Sequence, residues 1–258
     1  MVQKSARKLW TRDELILAIN LYCKLPFGKM HHRNPEVIAL AHLVERTPGS
    51  VAFKLANFAS FDPTLRARGI KGAANAGRLD QKVWNEFYSN WTELAFESEL
   101  RLANKKQTAV EELIEESELL QFPVGRTKEQ LVKVRINQAF FRKAVISAYN
   151  GTCCITGLKQ NELLVAGHIR PWGVDEANRI NPSNGIAINY LHDRAFENGL
   201  ITITPDFHIR VSPILLKQQD DTVKKYFHKY DGSLMHLPSR FLPDPQFLKY
   251  HNDERFRA

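Results

Sequence analysis

The sequence has few cysteines and no long apolar segment, and both absences restrict what the protein can be. Three cysteines occur in 258 residues, with Cys23 alone and Cys153 and Cys154 adjacent. An odd, badly spaced set does not make a disulfide framework, so we expect a reducing, cytoplasmic environment. No apolar run approaches the ~18–20 residues that cross a bilayer, and charged residues 12–14 interrupt any signal-peptide core. We therefore expect no membrane role.

Glycine and proline are also scarce, and acidic residues are outnumbered. The 13 glycines and 12 prolines fall far short of the roughly 25–30% typical of low-complexity chains. At roughly 150 residues per domain, the length predicts two folded units. Lysine and arginine number 36 against 28 acids, which gives a net charge of +8. This balance favours a partner that carries phosphate, although a basic enzyme without such a partner stays open.

The first sixty residues carry the local signals of three short helices. Thr11 opens a capping box ahead of an apolar repeat, which predicts a helix from Arg12 to Lys24. Pro35 opens a second helix, and Thr47 caps a third in which Pro48 is the first helical residue. Three short helices in this order predict a helix-turn-helix module.

Two stretches of this segment resemble the first and third helices of SANT/Myb-like DNA-binding domains: TrpThrArgAspGlu at 10–14 and ArgThrProGlySerVal at 46–51. The resemblance implies that the third helix enters the major groove, so that Ser50, Lys54 and Asn57 face DNA. The helical repeat also places these residues opposite the apolar face. A merely solvated surface helix would show the same pattern, and that interpretation stays open.

Six basic residues lie close together in sequence around the predicted third helix, and phosphate contact explains them economically. They are Arg46, Lys54, Arg66, Arg68, Lys71 and Arg78. Aromatic residues at helical spacing then predict a helix from Val83 to Asn104, with the aromatics in its core rather than in a base-stacking platform.

Five glutamates between 111 and 118 form an acidic run, which residues 122–125 interrupt. We place the domain boundary there. The predicted organisation is a helical DNA-binding domain at 1–104, an acidic helical connector at 105–127 and a third region at 128–258.

Four stretches in the third region contain the candidate catalytic and metal-binding residues. They are CysCysIleThrGly at 153–157, LeuLeuValAlaGlyHisIleArgProTrp at 163–172, AsnProSerAsnGlyIleAlaIleAsn at 181–189 and LeuHisAspArgAlaPheGluAsnGly at 191–199. After a helix at 128–149, they predict a strand at 163–166, a loop, a strand at 186–188 and a helix at 190–198.

This order and these stretches resemble the HNH endonucleases, most closely the branch found in bacterial restriction endonucleases. The signature residues fall on His168, Asn184 and His192, and the likeness covers about residues 135–213. The resemblance implies an α+β protein, with the helix-turn-helix-like domain followed by a ββα-metal nuclease. It also implies double-stranded DNA as substrate and a divalent metal ion, Mg²⁺ or Mn²⁺, as cofactor.

The resemblance and the chemistry of the residue types assign roles within this site. His168 is the general base, since a largely neutral imidazole takes a proton from the attacking water. His192 is a ligand of the metal that screens charge on the phosphorane. Asn184 has a geometric role, and Arg170 grips a neighbouring phosphate.

One position departs from the family pattern. Many HNH nucleases carry an acid or histidine directly before the general base as a metal ligand, and here that residue is Gly167. Asp175, Asp193 and Glu197 are available carboxylates, and the sequence does not choose among them. No CxxC pair is present, which excludes a four-cysteine zinc site, and the adjacent cysteines are predicted to be buried.

We therefore expect a metal-dependent endonuclease that acts in restriction or defence against foreign DNA. A nicking or homing-type nuclease stays open within the enzyme class. Outside it, a non-catalytic DNA-binding regulator with a structural finger stays open because of Gly167. The sequence also leaves a homodimer open.

Overall fold

The computed structural model describes residues 8–70, 77–88, 90–110 and 128–258. The chain divides into two compact units, one of Met1–Tyr22 and Lys29–Ile114, the other of Cys23–Gly28 and Glu115–Ala258. Lys71 and the acidic run of the predicted connector lie outside the described residues. Among the helices in the described ranges, none combines the length and apolar character needed to cross a bilayer.

The first unit is helical. Its elements are α1 (Arg12–Lys24), of which residues 12–22 belong to this unit, α2 (Pro35–Leu43), α3 (Pro48–Phe61), α4 (Pro63–Ala67), α5 (Arg78–Phe87) and α6 (Trp91–Lys106). The three predicted helix starts are confirmed, and each has a local cap. The Thr11 backbone N–H donates to Glu14 Oε2 at 2.8 Å, Asn34 Oδ1 accepts from Glu36 N–H at 2.8 Å, and Thr47 accepts from Ser50 N–H at 3.2 Å.

The single helix predicted from Val83 to Asn104 is wrong. The structure has two helices there, since α5 ends at Phe87 and α6 begins at Trp91. Asn90, a residue type common at helix N-termini, directly precedes the second helix. The aromatics themselves are core residues as predicted, because Trp84 and Trp91 are only 5% and 6% exposed.

The second unit adds strands to helices, so the α+β class is confirmed. Its elements are α7 (Lys128–Ala148), β1 (Leu164–His168), β2 (Gly185–Asn189), α8 (Tyr190–Glu197), β3 (Ile201–Ile203), β4 (Ile209–Val211), α9 (Pro213–Leu216), α10 (Asp221–Tyr226) and α11 (Pro245–Glu254). Strands β1 and β2 pair antiparallel, which places His168 opposite Gly185. With α8 they form the predicted strand–strand–helix finger.

Helix α7 packs against both strands of the finger. Gly185 permits this close approach, because a Cβ at that position would lie 2.4 Å from Val145 Cγ2 and 2.7 Å from Phe141 Cζ. Any larger residue would push α7 away from the strands. The first residue of β2 therefore determines how closely α7 approaches the end of β1.

Candidate functional site

His168 ends β1, and its ring is held on several sides. It stacks on Phe141 of α7 with ring centroids 4.1 Å apart and an interplanar angle of 9°, and Trp172 meets it edge-on at 5.5 Å. Its Nε2 lies 2.8 Å from the carbonyl oxygen of Arg179. Because a carbonyl only accepts, we assign the hydrogen to Nε2 and the lone pair to Nδ1.

Nδ1 of His168 has no hydrogen-bond partner within the described ranges. Burial lowers the pKa of His168 below its ordinary value, while the Arg179 carbonyl and the charge of Glu197 oppose that change. The imidazole is therefore neutral near pH 7 and offers a basic nitrogen in a fixed orientation. This is the chemistry that a general base requires, and the role itself stays a prediction.

Asn184 is fully buried directly before β2. Its Oδ1 accepts from the Arg170 backbone N–H at 2.8 Å, and its Nδ2 donates to the carbonyls of Arg170 and Asn178 at 3.2 and 3.1 Å. These bonds tie together the two ends of the loop that leaves His168. The side chain thus holds backbone, which is the kind of geometric role that the sequence predicts.

His192 lies elsewhere in the finger, 2% exposed. Its Nδ1 lies 3.0 Å from Asn189 Oδ1, an oxygen whose orientation is set because it also accepts the His192 backbone N–H. Its Nε2 lies 2.8 Å from the carbonyl oxygen of Tyr226. An oxygen atom lies within hydrogen-bond distance of each ring nitrogen, so neither nitrogen is open to a metal ion in this arrangement.

The metal role of His192 stays a prediction, and in the folded chain protein oxygens lie beside both of its ring nitrogens. Its ring packs against Phe227 and Tyr230, with centroids 5.3 and 5.5 Å away. It shares none of these partners with His168. The side chain joins the start of α8 to the end of α10 and to the residues that follow α10.

The three carboxylates that the sequence leaves open differ sharply in their partners. Asp175 accepts from Arg170 at 2.7 Å, and Glu197 pairs with Arg194 at 3.0 Å. Asp193 has neither a hydrogen bond nor an ion pair to any described residue. Its Oδ1 lies 2.6 Å from the point that a Cβ on Gly167 would occupy. The structure thus brings one acid beside the position that precedes His168.

Arg170, the predicted phosphate contact, is already engaged. Besides its ion pair with Asp175, its guanidinium lies 4.7 Å from the ring centroid of Tyr250 in α11. Sequence reasoning also missed Phe141 and the Arg179 carbonyl as partners of His168. Neither is signalled by motif spacing, because helix α7 lies outside the signature and a carbonyl carries no side-chain identity.

In the first unit, the predicted outward orientation of Asn57 is wrong. Asn57 is 1% exposed, and its Nδ2 donates to Asp80 of α5 at 2.8 Å. Lys54 Nζ lies 2.7 Å from the same carboxylate, and 13% of its side chain is exposed. The α3 repeat predicts a free face because it does not show that α5 covers it.

Arg46 is likewise engaged within the first unit. Its guanidinium donates to the carbonyls of Lys8 and Leu9 and pairs with Glu14 at 2.7 Å. Ser50 is half-buried. The four predicted DNA contacts of this unit therefore line a groove of about 590 Å³ rather than a row of free side chains.

Within the described part of the chain, no three His, Cys, Asp or Glu side chains are close enough to hold a metal by themselves. Mg²⁺ does not need such a cage, since it usually takes one or two carboxylates and completes its shell with water and substrate phosphate. The finger offers carboxylate oxygen at Asp193. The donor set thus fits a hard divalent ion.

Comparison with known proteins agrees with the geometry. Residues 153–204 match the family model described as HNH endonuclease, a range that contains both strands, the loop and α8. No curated protein matches the chain. The segment from 153 to 204, in which His168 ends the first strand and Asn184 closes the loop, is an HNH endonuclease domain.

Proposed function

We propose that this chain is a metal-dependent endonuclease that hydrolyses phosphodiester bonds of double-stranded DNA in restriction or another defence against foreign DNA. One observation carries the proposal: an HNH domain presents His168 with its ring fixed and Nδ1 unengaged by the described residues. We place its work in the cytoplasm, because all three cysteines are free and buried. The proposal does not need a homodimer, which no observation on the described residues favours.

In the proposed reaction, water attacks the phosphorus of the scissile diester. His168 Nδ1 accepts the proton of that water as the new P–O bond forms, and the bond to the leaving oxygen breaks. The Arg179 carbonyl stabilises the resulting imidazolium, because it accepts the hydrogen on Nε2 at 2.8 Å. Phe141 prevents the ring from turning away. A proton from solvent then completes the free hydroxyl.

HNH nucleases generally use a divalent metal ion, which when bound stabilises the negative charge of the phosphorane. Asp193 is the residue whose oxygen atoms fit such an ion. We propose Mg²⁺, with Mn²⁺ as a substitute, because both accept carboxylate and phosphate oxygen.

We further propose that the first unit helps to bind DNA through phosphate contacts. Arg66, Arg68 and Arg78 support this, since all three are exposed residues of the basic cluster. Lys54 and Asn57 would have to leave Asp80 before they could touch a base. Affinity from this unit is therefore expected to depend on salt more than on sequence.

A non-catalytic regulator is the second candidate function, favoured by Gly167 and by the engaged nitrogens of His192. Supercoiled plasmid incubated with the full chain and Mg²⁺, Mn²⁺ or EDTA separates the two. An endonuclease converts it to nicked or linear DNA with metal only, and the balance of these products distinguishes a nicking enzyme. Plasmid that shifts on a gel yet stays supercoiled with every metal would support the regulator.

A further inference from the structure

We propose that Asp193 supplies the metal contact that Gly167 lacks, so that an acid on α8 takes the place which the family pattern gives to the residue before the general base. This inference rests on the proposed nuclease function. It differs from the prediction made from the sequence, in which the metal ligand on this helix is His192.

The first support is the space beside His168. A Cβ on Gly167 would lie 2.6 Å from Asp193 Oδ1, a separation that real Cβ atoms essentially never show. The other neighbours of that point are Ile188 at 3.2 Å and Ile186 at 3.7 Å. A side chain at 167 and the Asp193 carboxylate would thus compete for one position, and here the carboxylate from α8 occupies it.

The second support is the surroundings of the Asp193 carboxylate, on which the charge of Arg194 acts favourably without forming an ion pair. This carboxylate is partly buried, and no described residue gives it a hydrogen bond or an ion pair. Arg194, its sequence neighbour, pairs instead with Glu197 at 3.0 Å. A carboxylate withdrawn from water without a partner is unfavourable, and a bound cation would remove that penalty.

The third support is the distribution of charge around His168. Glu197 lies one helical turn after Asp193 and therefore on the same face of α8. Burial and, to a smaller extent, the Glu197 charge raise the pKa of Asp193 to about 6 against the opposing charge of Arg194, and the Glu197 charge also acts to raise the pKa of His168. The two acids Asp193 and Glu197 thus share one face of α8, whereas His192 points to Tyr226.

The test is Mn²⁺ binding by the full chain, read from the EPR signal of free Mn²⁺, which does not depend on cleavage. Asp193→Asn keeps the shape and removes the charge. Asp221→Asn is the matched control, because Asp221 is fully exposed on α10. We expect Asp193→Asn to bind Mn²⁺ at least about tenfold more weakly and Asp221→Asn to bind like wild type. Equal binding by wild type and Asp193→Asn would overturn the proposal.

A relocation variant tests the position as well as the charge. Asp193→Ala vacates the space, and adding Gly167→Asp returns an acid to the residue before the base. We expect the double variant to recover Mn²⁺ binding that the single variant loses. Recovery in a folded double variant also removes the objection that Asp193→Asn fails to fold. Binding as weak as that of Asp193→Ala would contradict the proposed position.

The two proposals fail in different ways. Mn²⁺ binding that depends on Asp193 without any plasmid cleavage would refute the nuclease and leave the metal contact standing. Metal-dependent cleavage with unchanged Mn²⁺ binding in Asp193→Asn would refute only the metal contact. His168→Ala should bind Mn²⁺ like wild type, which separates the base from the metal ligand.

Discussion

The sequence predicts functional side chains both in α3 and in the finger. In the structure, these two sets of side chains differ in their hydrogen-bond and ion-pair partners. Lys54 and Asn57 both contact Asp80, so the donors predicted to meet DNA have partners within their own unit. His168 Nδ1 and the Asp193 carboxylate have none among the described residues. A buried polar group that has a partner in the protein indicates a structural role, whereas one that lacks a partner is a candidate for catalysis or ligand binding.

The largest effect is expected when the substitution removes His168 Nδ1. His168→Ala should slow cleavage by roughly 10²–10⁴-fold, because general-base catalysis contributes about that much. DNA affinity should stay near wild type, since the base acts in the transition state. Single-turnover cleavage and filter binding measure the two effects. His208→Ala is the control, because His208 is half-exposed outside the matched range; full activity in His168→Ala would refute the assignment.

The matching change in the first unit should affect stability instead. Asp80→Ala leaves the Lys54 ammonium and the Asn57 amide without their carboxylate, so we expect the unit to lose about 3 kcal/mol. Urea unfolding monitored by fluorescence reports on this unit, because Trp10, Trp84 and Trp91 lie in it. Glu93→Ala, at an exposed acid of α6, should change stability far less. Equal curves for both variants would show that the Asp80 contacts are dispensable.

His251, a buried histidine outside the candidate site, is expected to make the stability of the protein depend on pH. His251 is 2% exposed and stacks on Phe196, and burial lowers its pKa to about 4. The unfolded chain then binds the extra proton first, so stability should be present above about pH 6.5 and fall between about pH 6.5 and 4, by up to about 3 kcal/mol. The measurement is the pH dependence of the unfolding free energy. His251→Gln should show a shallower dependence, and an identical slope would contradict this.

The smallest effect concerns the loop that follows the base. Asn184→Ala removes the bonds to Arg170 and Asn178, which should destabilise the second unit by about 1–3 kcal/mol because buried backbone groups lose their partners. Cleavage should slow without being abolished. Asn178 also contacts Asp175, so Asn178→Ala provides a comparison at the same loop. An unchanged melting temperature in Asn184→Ala would show that these hydrogen bonds do not stabilise the loop.

The elements and the signature could be predicted because they depend on local signals. Caps such as Thr47 lie within three residues of the groups they bind, and the strand, loop, strand and helix of the finger follow one another within residues 153–204. The orientation of Asn57 depends on Asp80, and that of His192 on the Tyr226 carbonyl. Those partners lie more than twenty residues away, and no periodicity reveals them. The choice of Asp193 likewise needed the spatial relation between Gly167 and α8.

Chemical rescue tests whether His168 is the general base. His168→Ala leaves a gap against Phe141 that free imidazole can enter, since the lost ring stacks there at 4.1 Å. If His168 is the base, imidazole added with Mg²⁺ should restore part of the plasmid cleavage by His168→Ala and have no effect on wild type. Recovery should rise as imidazole is deprotonated. If His168→Ala cleaves at the wild-type rate without imidazole, His168 is not the general base.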